Sequence, residues 1–240
     1  MKLIETYVLA DRGRTSKQEG WISAYRAIAS AITRMTWPPD GSKFRIPRRI
    51  KKPDLRNGVV PIKKLFRELM SRGAWTVEAP LKLDDYFSTL RKSGLRDQLF
   101  RYPSLQPVTD ALHEGLGNFD FWFRSTDGFR TAVEWETGNI SSSHRSLNKM
   151  SMALNGGLLD AAVLVVPSNA MYPHLTDRIG NIRELQPYFY GWSMSCSNLE
   201  RGLMAIMVVE QDELFDSTDP LDFIPRARTG RSKKRRKRSR

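Results

Sequence analysis

The chain is poor in the residues that carry covalent and soft-metal chemistry. Cys196 is the only cysteine among 240 residues, which excludes a disulfide framework and a cysteine metal cluster and points to a reducing, cytoplasmic setting. The three histidines, His113, His144 and His174, are widely spaced with no two at a metal-ligand interval, so zinc is not expected. No serine, histidine and acid set stands out, and Gly115-Leu116-Gly117 lacks the context of a phosphate loop. The longest apolar run, Ala161 to Val166, falls far short of a membrane span. The first residues, Met1 to Thr6, carry charge where a secretory segment would be apolar. No membrane role is expected, and there is no internal repeat.

Acidic residues are scarce at one end only. The formal net charge is +13, but residues 226–240 hold ten Lys/Arg and no Asp/Glu, leaving 29 basic against 26 acidic groups elsewhere, a net of about +3. The body is mildly basic, so net charge alone does not argue for nucleic acid. We read residues 1–225 as a single domain and 226–240 as a basic, disordered tail.

What is present is a run of chemistry-bearing residues from Val133 to Arg145. Val133 and Trp135 alternate with Glu134 and Glu136 as in a strand, where side chains two apart share a face roughly 6.5–7 Å apart. Gly138-Asn139 ends the strand, and the serines that follow can cap a helix carrying His144, Arg145, Asn148 and Lys149. Upstream, Phe119 to Phe123 is a second strand, with a turn at Thr126-Asp127-Gly128, so Asp120 can converge on the two glutamates if the strands form a hairpin.

Elsewhere, helical periodicity covers about Ser16 to Met35, and Trp37-Pro38-Pro39-Asp40-Gly41 ends it. Residues 43–56 are basic and proline-punctuated, either a solvated loop or a phosphate contact. A helix is expected over about 61–72 with Pro61 at its first position. Further helical segments are expected around Leu83 to Leu99 and over Val108 to Leu116. Asn155-Gly156-Gly157 stops the helix after the acidic strand. Leu158 to Val166 and Leu203 to Val209 are apolar runs of strand length, the mark of strands buried on both faces. The alternation predicts an α/β fold, with a central mixed β-sheet flanked by helices on both faces.

Asp120 with Glu134-x-Glu136 is an acid set suited to a divalent cation, since magnesium takes hard oxygen ligands together with water and phosphate oxygens. Such ions polarise a scissile phosphate and acidify the attacking water. Two other readings compete: an exposed pair of strand carboxylates, and a glycosidase acid pair, whose inverting form spans about 6.5–9.5 Å. The basic helix start after Glu136 suits an anion better than a sugar.

The stretch Glu134-Trp135-Glu136-Thr137-Gly138-Asn139-Ile140-Ser141-Ser142-Ser143-His144-Arg145-Ser146-Leu147-Asn148-Lys149 closely resembles the active-site segment of BamHI-like type II restriction endonucleases. Matches continue in the same order at Trp37-Pro38, Asn57 to Lys63, Glu78-x-Pro80, Leu175 to Arg178, and Glu184-Leu185-x-Pro187-Tyr188-Phe189. The resemblance spans roughly 20–190. It implies the restriction-endonuclease-like fold, a homodimer on palindromic double-stranded DNA, and hydrolysis at GGATCC leaving 5′-phosphate ends. It implies Mg²⁺, two ions per active site with Mn²⁺ able to substitute. Asp120 and Glu134 would ligate metal, with Glu78 and the Trp135 carbonyl as further ligands. Glu136, standing where related nucleases have Lys, would serve as base or orienter of the attacking water. These four acids, Glu78 included, form the expected catalytic set.

By the same resemblance, Asn139, Ser141, Arg145, Lys149, Asp177 and Arg178 would contact DNA. The chemistry agrees, since Arg bonds guanine, Asp accepts from cytosine and Asn suits adenine. Without the resemblance, Arg145 reads as a surface arginine and Asp177-Arg178 as a local ion pair. A host DNA methyltransferase is implied as a functional partner. A structure-selective repair or recombination nuclease, and a catalytically idle DNA-binding protein, remain the alternatives. The C-terminal arm departs from the family pattern at Thr229-Gly230, and Asn155-Gly156-Gly157 departs where helices of a dimer would pack.

Overall fold

Two strands without a polar face organise the structure. It is a computed structural model that describes residues 1–80, 100–101, 103–104, 106–107, 117–176 and 179–226. In chain order the elements are β1 (Lys2–Arg12), α1 (Glu19–Thr33), β2 (Arg45–Pro47), α2 (Val59–Met70), β3 (Thr76–Pro80), β4 (Phe100–Arg101) and β5 (Gln106–Pro107). They continue with β6 (Asn118–Arg124), β7 (Arg130–Trp135), α3 (Ile140–Asn155), β8 (Ala161–Pro167), α4 (Ile182–Leu185), α5 (Phe189–Ser195), β9 (Gly202–Glu210) and β10 (Glu213–Phe215). The helices expected around 83–99 and 108–116 lie outside the described residues.

The main sheet has six strands in the order β1-β9-β8-β7-β6-β3. The centre is parallel, β7 with β8 and β8 with β9, while β1, β6 and β3 add in antiparallel fashion. A parallel pair needs a long crossover, and α3 supplies it between β7 and β8. The expected mixed sheet with helices on both faces is therefore present.

The period of two in β8 and β9 sorts the core. Ala161, Val163 and Val165 join Leu203, Ala205 and Met207 in one cluster with α1 and α2 residues such as Ile28, Ile32, Ile62 and Phe66. Ala162, Leu164 and Val166 join Met204, Ile206 and Val208 on the other face, against Leu147, Met150 and Leu154 of α3 and Trp192 of α5. Each fully buried aliphatic or aromatic side chain contributes about 1.5–3 kcal/mol relative to an exposed one. No helix among the described residues is long and apolar enough to cross a membrane.

Two local features differ from the sequence expectation and bear on the site, and a third concerns the basic stretch left open there. Helix α3 starts at Ile140, and its cap is Asn139, whose side chain accepts the Ser142 N–H at 3.2 Å. The serines instead fill the first turn, where Ser143 is fully buried. Helix α2 starts at Val59, so Pro61 lies at its third position, still in the first turn where an amide hydrogen has no helical partner. The basic residues of 43–56 are largely balanced by acids. Arg45 pairs with Glu213 at 2.9 Å, Arg48 with Asp216 at 3.3 Å, and Arg49 and Arg56 with Asp54 at 3.1 and 2.9 Å.

The feature that makes room for chemistry is a fork. β6 pairs with β7 only as far as Phe121 opposite Val133. β7 stays paired with β8 through Trp135 opposite Val165, and the Glu136 N–H still donates to the Val165 carbonyl at 3.0 Å. The Asp120–Glu134 position is where the β6–β7 ladder has ended, and two acids occupy the opening.

Candidate active site

Asp120 holds the fork from the β6 side. Its Oδ2 accepts the Trp135 N–H at 2.8 Å, a side-chain bond where a backbone rung would have been. Its Oδ1 accepts from Lys63 Nζ of α2 at 2.6 Å. Helix α2 is brought there by packing, because Phe66 lies 4.5 Å from the Trp135 ring and 5.2 Å from the Phe121 ring. The same helix that seals the apolar face under β7 therefore delivers an ammonium to Asp120.

Glu134, beside Asp120, reaches Lys149 of α3 and is 8 % exposed. Lys149 Nζ donates to its Oε1, and also to the Asn118 carbonyl at 2.6 Å, while lying 4.5 Å over the Phe119 ring. Burial, then the nearby Asp120 carboxylate, push the Glu134 proton affinity up to about 7, and the Lys149 ammonium offsets only part of this. A buried glutamate that resists ionisation beside a second carboxylate favours a nearby positive charge. Lys149, expected at DNA, has its partners within the protein in this structure. Its ammonium is buried at Glu134, since an uncompensated carboxylate at that depth would be costly.

Glu136, next on the same strand face, is 6 % exposed. Its Oε1 accepts the Gly138 N–H at 2.5 Å and its Oε2 accepts the Ser143 hydroxyl. Burial raises its proton affinity, and the hydrogen bonds from Ser143, Gly138 and Thr137 work against that rise. The side chain is thus held at both oxygens by the turn and helix that follow it.

Glu78 stands in β3 at the register position across from Asp120, between the pairs Val77–Phe121 and Ala79–Phe119. Its φ of +54° interrupts the ladder, and its carboxylate pairs with Arg67 at 2.8 Å while remaining 63 % exposed on its side chain. Lys63 and Arg67 lie one turn apart on α2, so this helix presents two cations to two facing acids. Glu78, expected as a further metal ligand, is directed to Arg67 in this arrangement. Among the described residues no group of three or more His, Cys, Asp or Glu side chains gathers as a metal cluster.

Asn139, Ser141 and Arg145 lie exposed at the start of α3, directly after the acid strand. Asn139 also forms a bridge with Ile179, and the Gly180 N–H donates to the Gly138 carbonyl at 3.0 Å. At the other end of that loop, the Thr176 N–H donates to the Asn57 carbonyl at 2.7 Å. Asp177 and Arg178 lie outside the described residues, but the chain beyond them is bonded to the Gly138–Asn139 turn and the chain before them to Asn57, just ahead of α2. Sequence reasoning missed two participants. Lys63 lies in a matched motif that gives it no role, and Ser143 is one serine of three until the helix start fixes which one faces inward.

A family model described as "Restriction endonuclease BamHI" matches residues 1–231. The type II restriction enzyme OkrAI of Oceanobacter kriegii is 33% identical over 205 residues, covering 85% of this chain and 87% of that protein. The type II restriction enzyme BamHI of Bacillus amyloliquefaciens is 32% identical over 212 residues, covering 88% of this chain and 83% of that one. In fold, the chain matches the crystal structure of restriction endonuclease BglII complexed with a DNA 16-mer. That match has a TM-score of 0.55 and 8% identity over 90% of this chain and 84% of that one.

Proposed function

Because the chain belongs to the BamHI family of type II restriction endonucleases, we propose that it hydrolyses double-stranded DNA as a homodimer at the palindrome GGATCC, leaving 5′-phosphate ends. The observation that carries this reading is the fork itself: Asp120 and Glu134 converge where the β6–β7 ladder ends, with Glu136 just past the end of β7.

The donor set fits a divalent metal, with Mg²⁺ the physiological choice and Mn²⁺ a substitute. Two carboxylates from adjacent strands and the Trp135 carbonyl are hard oxygen ligands, and burial, then the neighbouring Asp120 charge, raise the proton affinity of Glu134, a cost that a bound cation would offset. Asp120, Glu134 and the Trp135 carbonyl would hold the metal, with phosphate and water oxygens completing the shell. Glu78 joins if it leaves Arg67. A bound ion there supplies Lewis-acid stabilisation of the phosphate and acidifies water.

The protein's own groups do the rest. Glu136, kept basic by burial, accepts a proton from the attacking water or orients it, and it must come within hydrogen-bond reach of that water. Lys63 and Lys149 hold the Asp120 and Glu134 carboxylates in place. Asn139, Ser141 and Arg145, with Asp177 and Arg178 beyond the linked loop, contact the bases. Reading two-fold symmetric DNA with donors fixed to the catalytic strand ties recognition to cutting. The basic tail adds sequence-independent attraction to phosphates.

Digestion of a sequenced plasmid with Mg²⁺, followed by mapping of the ends, tests the reading. Cuts confined to GGATCC with 5′-phosphates are expected. Scattered nicking would overturn the specificity, and uncut plasmid would overturn the activity.

A further inference from the structure

Glu136 belongs to a closed ring of contacts that the assignment of its role does not by itself require. Its Oε1 takes the Gly138 N–H at 2.5 Å. The Gly138 carbonyl takes the Gly180 N–H at 3.0 Å. Gly180 lies against the Ser143 side chain so closely that a Cβ added there would overlap the Ser143 hydroxyl oxygen. That hydroxyl completes the ring by donating to Glu136 Oε2. Ser143 is fully buried, and its place is set by the helix start, with its N–H bonded to the Asn139 carbonyl at 3.3 Å.

A carboxylate bonded at one oxygen can still rotate about its terminal torsion, which is broad and roughly two-fold. Bonded at both oxygens by groups that are themselves fixed, it has one orientation. Gly138 is fixed by the turn, where an added Cβ would come within 3.2 Å of Glu136 Oε1 and would overlap Ser142. Ser143 is fixed between α3 and Gly180. The absence of a side chain at position 180 is what lets the loop approach the hydroxyl, so the loop closed by Gly180 and the Glu136 carboxylate share one contact.

We propose that Ser143 is a positioning residue for Glu136, and that Gly180 is the buttress that keeps the Ser143 hydroxyl on the carboxylate. This rests on the reading of Glu136 as the group that handles the attacking water. Losing a partner that orients such a group typically costs about 10–100-fold in activity, while duplex binding, made by other residues, is left alone.

The test is single-turnover cleavage in Mg²⁺ of a duplex bearing the mapped site, beside duplex affinity in Ca²⁺, for Ser143→Ala, Gly180→Ala and the double variant. Ser143→Ala should cut about 10–100-fold more slowly with affinity within about twofold of the parent. Gly180→Ala should lose rate by displacing the hydroxyl, and in the Ser143→Ala background it should cost little more, because the hydroxyl it displaces is gone. A Gly180→Ala chain that folds only when combined with Ser143→Ala supports the same contact. A wild-type rate for Ser143→Ala, or losses that multiply in the double variant, overturns the proposal. Glu136→Gln keeps the two readings apart. If Glu136→Gln cuts normally, the role of Glu136 itself is wrong. If it is inactive while Ser143→Ala is unimpaired, only the positioning role fails.

Discussion

The Asp120 carboxylate bonds the backbone N–H of Trp135 at 2.8 Å, one residue beyond the position where it would face Glu134 across the ladder. That single bond makes a side chain take over from a backbone rung, and it leaves the two acids at the mouth of the fork rather than in a closed sheet. An acid at this position is therefore structural and chemical at once, which sets how variants should be interpreted.

Lys149 separates two explanations cleanly. If its ammonium serves Glu134, Lys149→Met should destabilise the metal-free protein increasingly as pH rises above about 7, where the carboxylate ionises without its partner. Adding Glu134→Gln should recover much of that loss in a denaturant titration. A variant of unchanged stability but weakened duplex binding would instead return Lys149 to the DNA.

The raised proton affinity of Glu134 has a signed consequence. A carboxylate whose affinity rises from 4.5 in the unfolded chain to about 7 in the folded one stabilises the metal-free fold below the lower value. That contribution is lost as pH climbs through the upper value. A divalent cation needs the ionised form, so Ca²⁺ affinity should weaken about tenfold per pH unit below that point. Calorimetric titration across the window measures it. Affinity that does not change with pH would show that Glu134 is already ionised there.

The tail, which beyond Arg226 lies outside the described residues, should act through charge alone. Deleting 231–240 is expected to weaken binding to random duplex and to flatten the dependence of log K on log salt, by roughly 0.9 for each phosphate no longer neutralised. The cleavage site should stay the same. A shifted or relaxed site would give the tail a reading role.

The sheet is legible in the sequence because its strands announce themselves over short spans. Ala161 to Val166 is apolar on both faces, and Glu134 and Glu136 alternate with Val133 and Trp135 in the period of a strand, which runs to Trp135. The acids at the site can be chosen from the same pattern, and the motif resemblance supplies their roles. What the sequence does not display are the partners. Lys63 reaches Asp120 from 57 positions away, on a helix placed by Phe66 against Trp135. Glu78 turns aside through a positive φ that its residue type does not signal. Asn139, expected at the bases, also caps α3, and that cap decides which of three serines faces Glu136. These are consequences of packing, and no local pattern carries them.

The most direct measurement is cleavage and binding by Glu134→Ala on one duplex containing the mapped site, with Mg²⁺ for cutting and Ca²⁺ for binding. Retained site-specific binding with cleavage reduced at least about a thousandfold is expected, corresponding to the several kcal/mol that a bound cation contributes to the transition state. Full cutting by Glu134→Ala would contradict a catalytic centre at the fork.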